Sequence, residues 1–247
     1  MAANDMPANA SCVHFFFAIL SPAVRAELRR SWRSILPPEE LQRARQIRSP
    51  WRREHFMAGR LLLRKVLARL LHVEPEELVF QAEEQGKPIL AGPSTPDLQF
   101  SLSHSARMVA CAMASGRPIG VDVESAGNIR PPMEVIERFF DPAEAAFLLQ
   151  LSGRQRTSAF LTLWTLKEAF AKAQGQGLHP KCLKTSFLWY LKKPIWKSDI
   201  RTVSERSLED WQFAAISLHP GYHAALAVHS PGGERLFVRV REIKDLK

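Results

Sequence analysis

The chain has 247 residues, 46% of them hydrophobic, and a formal net charge of +9. That content is enough to bury one large core or two of ordinary size, so folding requires neither a disulfide framework nor a structural metal. The basic excess, with arginines concentrated between Arg25 and Arg69, favours an anionic partner: nucleic acid, a phosphorylated cofactor or an acidic protein.

The first apolar run, residues 13–20, is interrupted by His14 and is far shorter than the roughly 20 residues of a membrane span, so it reads as a buried strand. No Lys or Arg precedes Arg25, which argues against a signal peptide and for a cytoplasmic chain. From 51 to 71, Phe56, Leu63, Leu67 and Leu70 recur at helical spacing, predicting a long amphipathic helix that Pro75 prevents from continuing. Short β-like runs follow at 78–81, 98–103, 108–114 and 119–124, with a turn at Gln85-Gly-Lys87. A second helix is expected over 158–174, ending at Gly175 and Gly177, and 186–191, 211–218 and 222–229 read as strands. Cys12, Cys111 and Cys182 are widely spaced and odd in number, which predicts buried, reduced thiols rather than a disulfide or zinc site.

The two halves resemble each other. Asp97-Leu-Gln-Phe100 followed by 108–114 parallels Asp210-Trp-Gln-Phe213 followed by 222–229, and Lys87-Pro-Ile89 parallels Lys193-Pro-Ile195. A duplication predicts an α+β fold: two similar α/β subdomains related by a pseudo-two-fold axis, each a small, mostly antiparallel sheet packed on a long helix. The expected halves are 1–117 and 118–247, and such a pair places a cleft at its middle, where ligands commonly bind.

Three constellations carry chemistry. In Gly120-Val-Asp-Val-Glu124, alternation on a strand sends Asp122 and Glu124 to the same face. Two adjacent carboxylates suit a hard cation such as magnesium, although alone the pair also fits two solvated acids. In the helix Trp164-Thr-Leu-Lys-Glu-Ala-Phe-Ala-Lys172, Glu168 and Lys172 are one turn apart on one face, flanked by an apolar stripe of Leu163, Leu166 and Phe170. By itself that is also an ordinary surface ion pair. The third is Phe100-Ser-Leu-Ser-His-Ser105, preceded by Gly86-Lys87-Pro88, where hydroxyls, imidazole and lysine would suit a phosphate. A Gly-x-x-x-x-Gly-Lys-Ser/Thr loop, a Gly-x-Gly-x-x-Gly fingerprint and a Gly-x-Ser-x-Gly elbow are all absent.

Taken in order, Gly-Lys-Pro, Ser-His-Ser, Gly-Val-Asp-Val-Glu and Trp-x-x-Lys-Glu-Ala-x-x-Lys resemble the large, pseudo-dimeric 4′-phosphopantetheinyl transferases of the surfactin-synthetase activator and aminoadipate-semialdehyde dehydrogenase type. The resemblance runs from about residue 35 to residue 178. It implies transfer of the phosphopantetheine arm of coenzyme A to a serine of an apo acyl or peptidyl carrier protein, releasing adenosine 3′,5′-bisphosphate. It further implies Asp122, Glu124 and Glu168 as magnesium ligands in the C-terminal half, with Glu168 and Lys172 as the catalytic pair. Arg43, Lys87, Ser103, His104 and Lys172 are implied as coenzyme A contacts, the nucleotide end falling to the N-terminal half. The chain departs from the pattern at Ser101, where the family often has Asn, and at Ala82, where the animal type has a basic residue.

The expected partners are coenzyme A and acidic carrier protein domains steered by the basic surface, with neither nucleic acid nor membrane bound. A monomer is expected, since duplicated halves supply internally what shorter relatives assemble between subunits. Two other readings remain at this point: a non-catalytic descendant that binds coenzyme A or a carrier, and a basic nucleic-acid module. The second lacks an aromatic-interleaved basic patch or zinc-finger spacing.

Overall fold

The computed structural model describes residues 12–82, 88–91, 97–127, 131–175, 185–191, 208, 210–216, 218–232, 234 and 236–244. Lys87 and its turn, Gly177, Cys182 and the Lys193-Pro-Ile195 repeat lie outside the described residues. The chain divides into two compact units, Met1–Gly116 with Val238–Lys247, and Arg117–Phe237.

The first unit opens with strand β1 (Cys12–Ile19), followed by helices α1 (Pro22–Ile35), α2 (Pro38–Gln46) and α3 (Pro50–Leu71). Each helix carries a proline in its first turn, where the missing amide costs nothing, and Ser21 and Ser49 cap α1 and α3 by accepting from the Val24 and Arg52 amides. Helix α3 stops before Pro75, at His72, whose left-handed backbone (φ 55°) turns the chain aside. Two short strands, β2 (Val79–Ala82) and β3 (Pro88–Ala91), pair with each other. The hairpin β4 (Leu98–Ser105) and β5 (Met108–Ser115) pairs antiparallel with β1, and the sheet order is β4-β5-β1-β9, where β9 is Phe237–Glu242.

Helix α3 is not the one-sided amphipathic helix that its spacing predicts. Every residue from 60 to 68 is buried, because the sheet covers one side while α1, α2 and the 3-10 turn at Pro75–Glu77 cover others. Leu61, Leu62, Leu63, Val66 and Leu67 share a core with Phe100, Val109, Cys111 and Met113. At roughly 1.5 to 3 kcal/mol for each buried aliphatic side chain, packing rather than helix propensity holds this element.

The second unit repeats the path. Strand β6 (Ile119–Ser125) leads into α4 (Met133–Phe139), α5 (Pro142–Gln150) and α6 (Gly153–Ala173), then α7 (Leu188–Leu191), and finally the hairpin β7 (Trp211–Ile216) and β8 (Tyr222–His229). The sheet order is β6-β8-β7, so in both units the opening strand pairs with the second strand of the closing hairpin. Leu163, Leu166, Ala169 and Phe170 of α6 pack with Phe187, Phe213, Ala225 and Ala227. The α+β architecture expected from the sequence is thus present, with a long helix on an antiparallel sheet in each unit.

A buried ion pair is repeated as well. In the first unit Glu40, third residue of α2, takes Arg64, fifteenth of α3, at 3.1 and 3.2 Å. In the second, Glu144, third residue of α5, takes Lys167, fifteenth of α6, at 2.7 Å.

Other expectations are corrected as well. Residues 186–191 form no strand: Leu188–Leu191 is a helical turn, the Trp189 indole donates to the Ser186 carbonyl, and the Tyr190 hydroxyl accepts from the Ala215 amide of edge strand β7. Nor does the second half run to the C-terminus. The chain returns at 238 to the first unit, β9 lies next to β1, and the Ile243 amide donates to Phe17 O at 2.7 Å. Cys111 is a buried free thiol pushed up by burial, as expected, whereas Cys12 is only partly buried. No helix among the described residues is long and apolar enough to cross a membrane.

Candidate active site

The carboxylates of the second unit are set by a close approach of backbone to backbone. At Gly120 a Cβ atom would lie 1.9 Å from the Ala169 carbonyl oxygen and 2.6 Å from the Ala173 amide nitrogen, so only glycine lets β6 lie directly on α6. Two residues further on, Asp122 is 4% exposed, and its Oδ1 accepts from Lys172 Nζ at 2.7 Å. Glu124 is half-buried, on the same strand face as Asp122 by the period of two. Glu168 stands on α6 one turn before Lys172.

The electrostatics follow from that crowding. Burial first, and the Asp122 charge next, push the Glu168 carboxyl up to about 7, with Lys172 opposing and Glu124 adding a smaller rise. The three predicted metal residues therefore sense one another, and an all-oxygen set without Cys or His has the donor chemistry of a hard divalent cation. Among the described residues, no group of three His, Cys, Asp or Glu side chains is arranged to hold a metal ion. In this arrangement the Lys172 ammonium supplies the local positive charge.

The rest of the helix motif is structural. Trp164 stacks on Phe160 and Phe140 and, partly buried, packs against the core of the second unit. Lys167, fully buried, donates to Thr185 O at 2.6 Å, pairs with Glu144, and has its ammonium 5.2 Å from the Phe140 ring centre. Burial lowers its pKa, with Glu144 opposing. Glu144 also accepts from the Phe187 and Asp141 amides, so one carboxylate ties together the start of α5, α6 and the chain before α7.

Sequence reasoning passed over His223. It lies opposite Glu124 in the β6–β8 register, its Nδ1 is 3.3 Å from the Thr162 hydroxyl, and burial lowers its pKa. Register was the signal, since cross-strand partners share a face.

The remaining described candidates belong to the first unit. Ser103 and His104 are neighbours on β4 and point to opposite faces: Ser103 is buried, whereas His104 is exposed beside the Trp51 ring. Arg43, exposed on α2, has its guanidinium 5.8 Å from the Phe56 ring centre, and its charge helps to lower the pKa of buried Arg60, for which burial is the main cause.

Residues 118–227 match the family described as the 4′-phosphopantetheinyl transferase superfamily, and residues 24–116 match the one described as 4′-phosphopantetheinyl transferase, N-terminal. The chain belongs to the 4′-phosphopantetheinyl transferase superfamily.

Within that superfamily, it is 40% identical over 147 residues to the 4′-phosphopantetheinyl transferase HetI of Nostoc, a match covering 58% of this chain and 61% of the relative. It is 34% identical over 145 residues to the 4′-phosphopantetheinyl transferase Sfp of Bacillus subtilis, covering 59% and 62%. A third relative, a putative 4′-phosphopantetheinyl transferase of Synechocystis, is 35% identical over 147 residues, covering 60% of each chain. The matches thus span about three fifths of these relatives' length. All the phosphopantetheinyl transferase motifs read from the sequence fall within the two matched regions.

Proposed function

We propose that this protein is a magnesium-dependent 4′-phosphopantetheinyl transferase that moves the phosphopantetheine arm of coenzyme A to a serine of an apo acyl or peptidyl carrier protein. The observation that carries the reading is the meeting of the acidic strand with the helix motif: Lys172 of α6 pairs with Asp122 of β6 at 2.7 Å, and Glu168, one turn earlier, feels the charges of both Asp122 and Glu124. Burial and these acidic neighbours raise the metal-free Glu168 carboxyl to about 7, so that it takes a proton more readily than an ordinary solvated glutamate.

In this mechanism, Glu168 receives the carrier serine's proton as the serine oxygen bonds to the β-phosphorus of coenzyme A. The bond from that phosphorus to the bridging pyrophosphate oxygen breaks, and adenosine 3′,5′-bisphosphate leaves. Lys172, already hydrogen-bonded to Asp122, turns its ammonium toward the negative charge gathering on the leaving group. Asp122, Glu124 and Glu168, whose all-oxygen chemistry suits a hard cation although they are not gathered round one centre here, would hold magnesium, which would supply charge neutralisation at the pyrophosphate. Arg43, Lys87, Ser103 and His104 are assigned to the nucleotide end of coenzyme A. Release as bisphosphate follows from the same bond cleavage.

The reading places the protein in the cytoplasm as a monomer, with acidic carrier domains attracted by its +9 charge. Its test is labelling of a panel of apo carriers with a fluorescent coenzyme A analogue, with and without magnesium. Glu168→Ala and Asp122→Ala should each lose about 100-fold or more in rate, as expected for removal of a general base or its charged setting. Full activity in both variants would refute the site assignment.

A further inference from the structure

His55 is a fully buried titratable side chain that the proposed reaction does not use. On α3, its Nδ1 lies 2.8 Å from the Trp51 carbonyl oxygen one turn earlier, and its Nε2 lies 2.7 Å from the carbonyl oxygen of Ala106. Carbonyl oxygens only accept, so a hydrogen bond to the Ala106 carbonyl takes the proton on Nε2.

Ala106 belongs to the turn between β4 and β5, two residues beyond His104. It has φ 49°, a left-handed conformation that non-glycine residues adopt at a cost. The next carbonyl, that of Arg107, accepts from the Leu20 amide at 2.6 Å. Two successive carbonyls of one turn are therefore held, the first by His55 and the second by the residue following β1. Ring contacts lead back to the same place. Trp51 lies over His55 with centres 4.1 Å apart and meets His104 edge-on at 5.7 Å, while the His55 and His104 centres are 5.3 Å apart.

We infer that His55 is a positioning residue, holding the Ala106 carbonyl so that the β4–β5 turn keeps its left-handed residue and, with Trp51, sets the imidazole of His104. Its effect on coenzyme A rests on the proposed function, which assigns His104 to the nucleotide end; its effect on the turn does not.

The test uses the full chain with His55→Phe, which keeps a ring and removes both ring nitrogens, and His55→Gln, which keeps an amide donor. Amide hydrogen exchange of residues 105–108 should quicken by about tenfold in His55→Phe and by less in His55→Gln, as expected for one lost buried hydrogen bond. The KM for coenzyme A should rise about fivefold in His55→Phe with kcat within about twofold, the pattern of lost binding rather than lost chemistry. Combining His55→Phe with His104→Ala should raise KM no further than His104→Ala alone, because the two act through one ring. Unchanged exchange in a folded His55→Phe, or KM effects that multiply in the double variant, would overturn the inference. If His55→Phe does not fold, His55→Gln decides, and wild-type exchange in that variant overturns the inference. A wild-type chain that transfers nothing to any carrier would remove the proposed function, while the exchange measurement still decides whether His55 holds the turn.

Discussion

A carboxylate that is to take a proton near neutrality must be destabilised as an anion, and Glu168 is, by burial first and by Asp122 and Glu124 next. That destabilisation is linked to folding. The raised pKa means that the folded state holds the Glu168 proton more tightly than the unfolded chain, so the stabilisation is fully present below about 4.5 and lost as the pH climbs through about 7. Without divalent cations, this group should cost up to about 3 kcal/mol at pH 8 relative to pH 4. Glu168→Gln should remove the cost, so denaturant unfolding at pH 8 should find the variant more stable than the wild type, and at pH 4 nearly equal to it, even as transfer is lost. Equal stability at pH 8 would mean that Glu168 is not destabilised as described. Lys167, next along the helix, is a different case. Lys167→Met leaves Glu144 buried without its cation, and thermal or chemical denaturation should show a loss of about 3 to 5 kcal/mol. The motif's chemistry was legible as residue types at helical and strand spacing. That its first Lys is structural was not, because its partner Glu144 is an unremarkable acid in the sequence and becomes an ion pair only when α5 packs on α6.

Between β6 and α6 the decisive feature is an absent side chain. Gly120→Ala would drive a methyl into the Ala169 carbonyl and the Ala173 amide, neither of which can swing away. The expected result is a loss of about 1 to 3 kcal/mol of stability, with transfer falling further than stability because β6 carries Asp122 and Glu124 away from α6. Denaturation and carrier labelling of the same preparation would separate the two losses; a Gly120→Ala protein of wild-type stability would deny the close approach. Long strands and the two long helices were readable from periodicity. The helices α1, α2, α4 and α5 were not, since they are short or rich in charge, and their proline and Ser or Asp starts carry more signal than their apolar spacing. Residues 186–191 read as a strand because Phe187, Trp189 and Tyr190 have high β preference, yet Phe187 fills the α6 core and Tyr190 serves the edge of β7.

Across the whole chain, the duplication shows in topology and in charge: an opening strand, three helices and a closing hairpin in each unit, and a buried acid on the second helix paired with a cation on the third. The hairpin repeat was visible in sequence because Asp-x-Gln-Phe recurs; the ion pairs were hidden because Arg in one unit answers Lys in the other. What sequence could not show is that the last strand returns to the first sheet, a pairing between segments more than 200 residues apart. Deleting residues 237–244 should uncover the edge of β1, lowering the melting temperature and promoting aggregation, which scattering during a thermal ramp would report. Unaltered melting without aggregation would contradict the role given to β9.

The central claim is a transfer, and accounting for its products tests it most directly. Incubating the protein with coenzyme A, magnesium and a panel of apo carriers, then analysing carriers by mass spectrometry and the nucleotide by chromatography, should show at least one carrier gaining phosphopantetheine on serine, with adenosine 3′,5′-bisphosphate released in equal amount. Coenzyme A bound but left intact, with every carrier unmodified, would contradict it.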